Sequence, residues 1–134
     1  MRIARRLLDE IVAHANETAP EECCGVLCGE DGSVTSIEPA ENEFADRMRY
    51  RIAADEMMRI YKLASERGEE LVGFYHSHPR SEASPSQTDI NEVKGLPESL
   101  HVICSLEEPD RPVVRAFTIS GDEVEEVKLD VEAD

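Results

Sequence analysis

The sequence predicts a single-domain mixed α/β fold, a β-sheet flanked by about three helices. Three observations carry that expectation. At 134 residues the chain is the length of one compact domain with one core. Two stretches repeat apolar residues every three or four positions, as amphipathic helices do, and a third short helix is signalled by its cap. Six short apolar stretches, bounded by Gly, Pro, Asp and Ser, read as strands.

Taken in order, Ile3, Leu7, Leu8, Ile11, Val12 and Ala15 line one face of a first helix, with Pro20 just past its end. Val26-Leu27-Cys28 runs into a hairpin turn at Asp31-Gly32, and Ser33 to Glu38 is the returning strand. Met57, Met58, Ile60, Tyr61 and Ala64 place a second helix over about Asp55 to Arg67, stopped by Gly68. Leu71 to His76 is a short apolar strand. Ser86 caps a third helix of two or three turns that ends near Gly95 and Pro97. Strands follow at Leu100 to Ser105, Val113 to Ile119 and, weakly alternating, Glu123 to Leu129. Residues 1–129 are thus expected to form the domain and 130–134 an acidic tail.

The net charge of −16 repels phosphate backbones, so nucleic acid is not expected as a partner. No apolar run approaches the roughly 20 residues that span a bilayer. Asp9 and Glu10 interrupt what would be the apolar stretch of a secretion signal, so the expected location is the cytoplasm. Cys23, Cys24, Cys28 and Cys104 lack the spacing of a disulfide framework and read as reduced, buried thiols. Arg47, Arg49 and Arg51 alternate along the chain, either as a solvated face or as a row that meets an acidic partner.

The chemistry concentrates in His76-Ser77-His78-Pro79. Residues i and i+2 of an extended chain point to one side, which brings the two imidazoles together, and Pro79 disfavours helix at His78. Neutral imidazole is the commonest metal ligand, although two satisfied surface histidines would show the same spacing. Asp89 lies eleven positions on, in the first turn of the third helix, where its carboxylate could return to the imidazoles. Two nitrogens and an oxygen would leave the fourth zinc position open, the catalytic pattern. Ser86-x-x-Asp89 is equally a helix capping box. Glu22 shares a face with Cys24 and Val26 if its strand begins early. It is then an inward carboxylate of raised proton affinity, suited to acid–base work, and otherwise an exposed acid in a turn.

Together these residues resemble the JAMM or MPN+ metalloproteases. The family signature, a glutamate followed at a distance by H-S/T-H-P-x(6)-S-x(2)-D, is matched by His76 to Asp89 without a gap. Pro20-x-Glu22-x-Cys24-Gly25-Val26-Leu27-x-Gly29 is similar to the segment that carries the family's glutamate. The resemblance implies a cytidine-deaminase-like α/β fold in which His76, His78, Asp89 and a water bind Zn2+. Glu22 would take a proton from that water and hand it to the leaving amine, and Ser86 would help stabilise the tetrahedral oxyanion. It further implies a peptidase or isopeptidase of the small, stand-alone prokaryotic type. Such an enzyme cuts the amide bond at the C-terminal tail of a ubiquitin-like or sulfur-carrier protein, and the tail could enter by strand addition.

The alternative within the same family is a non-catalytic MPN-type interaction module, which lacks the ligands. Zinc nucleobase deaminases need H-x-E and P-C-x-x-C, neither of which is present. A cupin would want glycine where Glu70 stands, and a structural zinc site could use Cys24, Cys28 and the two histidines. His14 and His101 have no partner at a telling spacing and read as structural.

Overall fold

The computed structural model describes residues 1–30 and 32–133, so Asp31 of the expected hairpin turn lies outside the described residues. Strands β1 (Arg2–Ala4), β2 (Cys24–Glu30), β3 (Ser33–Ala40), β4 (Glu70–His78), β5 (Ser99–Ser105), β6 (Val113–Ser120), β7 (Glu123–Val127) and β8 (Asp130–Glu132) form one sheet. Its order is β7-β6-β5-β4-β2-β3-β1-β8. Helices α1 (Arg5–Thr18), α2 (Ala54–Glu66) and α3 (Gln87–Glu92) complete the fold. The mixed architecture is as the sequence predicts. β4 and β5 run parallel, joined by the crossover that contains α3, while β4 and β2 run antiparallel.

The centre of the sheet is buried on both faces, which explains why β2 is a continuous apolar run rather than an alternating one. On one side α1 packs Leu7, Leu8, Ile11 and Ala15 against Leu27, Tyr75 and Val102. On the other, Ile60 and Ala64 of α2 cover Cys24, Val26 and Cys28. Alternation along β4 therefore sends Tyr75 toward α1, where its hydroxyl meets His14 Nδ1 at 2.8 Å, and the flanking His76 toward the opposite face.

Several boundaries differ from expectation. Ile3 fits the helical spacing of α1, yet it lies in β1, where it pairs with Val34 and is fully buried by the sheet. The closing strand ends at Val127, and Asp130–Glu132 pairs in parallel with β1, carrying the sheet into the segment expected as a tail. The third helix stops at Glu92 rather than near Gly95, which takes a positive φ of 81° beyond it. Among the described residues, no helix is long and apolar enough to cross a membrane.

Gly25 shows how closely β2 and β4 pack: it pairs with Tyr75, and a Cβ there would overlap the Tyr75 ring. Gly25→Ala is therefore expected to cost about 1–3 kcal/mol. Thermal denaturation should show this as a fall in Tm of at least about 3 °C.

Candidate metal centre

The site is assembled where three elements end together. β4 delivers His76 and His78 from its last three residues, on one face because they are two apart. The loop after Pro79 turns the chain, and α3 begins with Ser86 as N-cap and Asp89 in its first turn. β2 starts at Cys24, whose strand partner is His76, so Glu22 arrives two residues before the ladder begins. Ser77, between the two histidines, points to the other face. There its Oγ accepts the Cys23 N–H at 2.8 Å, fastening the entry of β2 to the end of β4.

The geometry joins what the sequence left as alternatives. Ser86 Oγ accepts the Asp89 N–H at 3.0 Å and Asp89 Oδ2 accepts the Ser86 N–H at 2.9 Å, a complete capping box. The same Oδ2 stands 3.2 Å from His76 Nε2 and 3.1 Å from His78 Nε2, and the two Nε2 atoms are 3.2 Å apart. Asp89 therefore both caps α3 and faces the imidazoles. His78 Nδ1 lies 2.8 Å from the Glu82 carbonyl oxygen, to which it donates, so that in the neutral imidazole it is the Nε2 lone pair that is directed at the cluster. Tyr50 stacks on the His76 ring with centroids 4.7 Å apart.

These three atoms suit one divalent cation. Ligand atoms about 2.0–2.1 Å from a tetrahedral zinc stand about 3.3 Å from one another, close to the observed spacing. His76, His78 and Asp89 are the group of metal-capable side chains found among the described residues, and all three are buried. Cysteine takes no part. Cys24 Sγ is 3.9 Å from the Ala40 carbonyl oxygen, and burial pushes the Cys24 thiol up to about 12 and that of Cys23 up to about 11. The four thiols are free and buried, and the site built from Cys24 and Cys28 is not formed.

Glu22 is 2 % exposed, as the inward reading of the sequence requires, and its Oε1 has no hydrogen-bond partner among the described residues. Burial pushes its carboxyl up to about 8, against the pull of His78 and with a further push from the Asp89 and Asp46 carboxylates. Burial acts the same way on Asp89, but hydrogen bonds with His76 and His78 outweigh it and hold that carboxyl below the usual range. Burial lowers His76. In His78 burial pulls down, and the Asp89 and Glu82 hydrogen bonds more than restore it. The site thus pairs an ionised, ligand-like carboxylate with a second one that keeps its proton to near neutrality. Beside His76 opens a cavity of about 280 Å3 walled by Tyr50, Ile52, Met57, Phe74, Leu96 and His101. Of these residues Tyr50 carried no sequence signal. Ser77 was visible as a motif position, but its bond to Cys23 was not.

A mixed sheet that ends in a buried His-His-Asp cluster with a protonatable glutamate beside it defines a metal-centre protein of hydrolase type. The chain belongs to the prokaryotic homologs of the JAB domain, whose family model matches residues 4–120. It is 37% identical to a desampylase of Haloferax volcanii, over 98% of this chain and 96% of that one. It is 32% identical to the CysO-cysteine peptidase of Mycobacterium tuberculosis, over 93% and 86%. A Desulfitobacterium hafniense protein solved in solution superposes with a TM-score of 0.91 at 29% identity, covering 99% of this chain and 93% of that one. A JAB1/MPN domain protein of Archaeoglobus fulgidus shares the fold, with a TM-score of 0.61 at 21% identity over 98% and 97%.

The elevated Glu22 carboxyl has a consequence for stability. Between about pH 4.5 and 8 the unfolded chain has released a proton that the folded chain keeps, so the metal-free protein loses stability as pH rises through that window. Glu22→Gln removes this slope. Thermal melts of metal-free wild type and variant should coincide in pH trend below about pH 4.5, and the variant should gain on wild type up to about pH 8. A gap that does not vary with pH would contradict a buried, protonated Glu22.

Proposed function

We propose that this chain is a zinc-dependent peptidase or isopeptidase. Its substrate is the amide bond at the C-terminal tail of a ubiquitin-like or sulfur-carrier protein. The observation that carries the proposal is the convergence of His76 Nε2, His78 Nε2 and Asp89 Oδ2 at 3.1–3.2 Å beside a Glu22 carboxyl pushed up to about 8. The likeness to a desampylase and a CysO-cysteine peptidase supports the substrate class.

His76, His78 and Asp89 would hold the zinc. Bound there, zinc supplies the Lewis acidity that lowers the pKa of water from 15.7 to about 7. Glu22 serves as the general base, taking a proton from the attacking water and passing it to the leaving nitrogen. Burial raises the proton affinity of its carboxyl, which suits it to hold the proton between the two steps. Ser86 accepts from the Asp89 N–H, which leaves its own hydroxyl proton to donate to the carbonyl oxygen as charge develops there. The tail must come in over the strand ends. β4 sits inside the sheet, with β5 and β6 between it and the β7 edge, so adding a strand to β7 or β8 would not bring a peptide to His76. The reducing cytoplasm is the compartment we assign, in keeping with four free thiols.

Metal analysis paired with cleavage of a ubiquitin-like carrier bearing a C-terminal extension tests this reading. Wild type and Glu22→Ala should each hold about one zinc, with cleavage slowed about 10²–10⁴-fold in the variant. Zinc in both with no cleavage by wild type, across the ubiquitin-like carriers of its own genome, would instead make the chain a non-catalytic MPN-type interaction module. Ser86→Ala should keep zinc and lose about 10²–10³ in kcat.

A further inference from the structure

Glu22 has a positional problem. It precedes Cys24, the first residue of β2, and so lies outside the hydrogen-bond ladder that would hold its backbone. Its N–H donates instead to the Asp46 carbonyl at 2.8 Å, and its own carbonyl accepts from Asn42 Nδ2 at 3.1 Å. Both partners belong to the loop between β3 and α2.

That loop is organised around the Asn42 side chain, which is 8 % exposed. Besides Glu22, Nδ2 donates to the Arg49 carbonyl at 3.0 Å, and Oδ1 accepts the N–H groups of Phe44 at 3.0 Å and Arg51 at 3.1 Å. Two donors and two acceptors exhaust what a primary amide offers. The loop closes further through Glu43 N–H to the Arg51 carbonyl and Ala45 N–H to the Asn42 carbonyl, and Ala45 takes a left-handed φ of 49°. An alanine held there marks a backbone fixed by its surroundings rather than by its own preference. Between the gripped residues Arg49 and Arg51 stands Tyr50, the residue stacked on His76.

We propose that Asn42 is a positioning residue of the hydrolytic site. One buried amide fixes the main chain of Glu22 and, through Arg49 and Arg51, the ring of Tyr50 against His76. The base and a ligand histidine are thereby set by the same loop. The inference rests on the reading of Glu22 as the base, but the clamp itself can be measured without activity.

Amide hydrogen exchange of the full chain is the first measurement. Although outside any strand, the Glu22 amide should exchange as slowly as the amide of Leu27 within β2. Free exchange of Glu22 in wild type would overturn the inference with no variant needed. Asn42→Asp keeps the acceptor for Phe44 and Arg51 and removes the donors to Glu22 and Arg49. It should speed exchange at Glu22 about 10-fold or more while Phe44 and Arg51 stay protected. It should also lower kcat about 10–100-fold with KM and zinc content unchanged. A wild-type kcat in Asn42→Asp, or a loss that follows KM or zinc content instead, would make Asn42 merely structural. Should wild type cleave no carrier, the exchange pattern still decides the clamp, and the hydrolytic reading alone falls.

Discussion

A single carboxylate oxygen, Asp89 Oδ2, is the point on which the site depends. It accepts the Ser86 N–H at the start of α3 and faces both imidazole Nε2 atoms at the end of β4. A buried carboxylate is costly unless several polar groups surround it. Here those groups come from two elements, the end of β4 and the start of α3, that follow one another along the chain through the loop from Pro79 to Pro85. The requirement that caps the short helix therefore also docks it against β4, and the helix cannot unwind without uncovering the charge.

The surrounding fold meets the same requirement from the other side. β4 is interior, paired with β2 and β5, so the backbone of His76 is fixed by two ladders and that of His78 by its pairing with Ser105 of β5. Ser77 fastens the start of β2 from the opposite face of the strand, and the stack of Tyr50 limits the ring of His76. Such support narrows the positions open to the side chains, which is what a preorganised centre needs. Glu22 Oε1, in contrast, has no hydrogen-bond partner among the described residues, and the rise that burial gives its proton affinity separates its chemistry from that of Asp89.

Much of this was legible in the residues themselves. The spacing of His76, His78, Ser86 and Asp89 contained the whole cluster, because strand alternation and a helix cap are local rules that sequence expresses directly. The capping box and the return of Asp89 to the imidazoles appeared as competing readings only because a sequence does not show that one oxygen can do both. Glu22 was harder, since its burial depends on a loop some twenty residues away. Ile3 was misplaced because a buried residue of a short strand can fall in phase with the helix that follows it. β8 was missed because its three residues are exposed and acquire strand form from β1 rather than from any pattern of their own. Asn42 and Tyr50 lie in a segment without apolar periodicity, where long-range contacts assign a role.

The most direct test of the account is X-ray absorption at the zinc edge on the zinc-loaded protein. The account predicts a first shell of nitrogen and oxygen only, at about 2.0–2.1 Å, with two imidazoles, and loss of that shell in Asp89→Asn. A sulfur scatterer at about 2.3 Å would place the metal on the cysteines of β2 and contradict the site described for this chain.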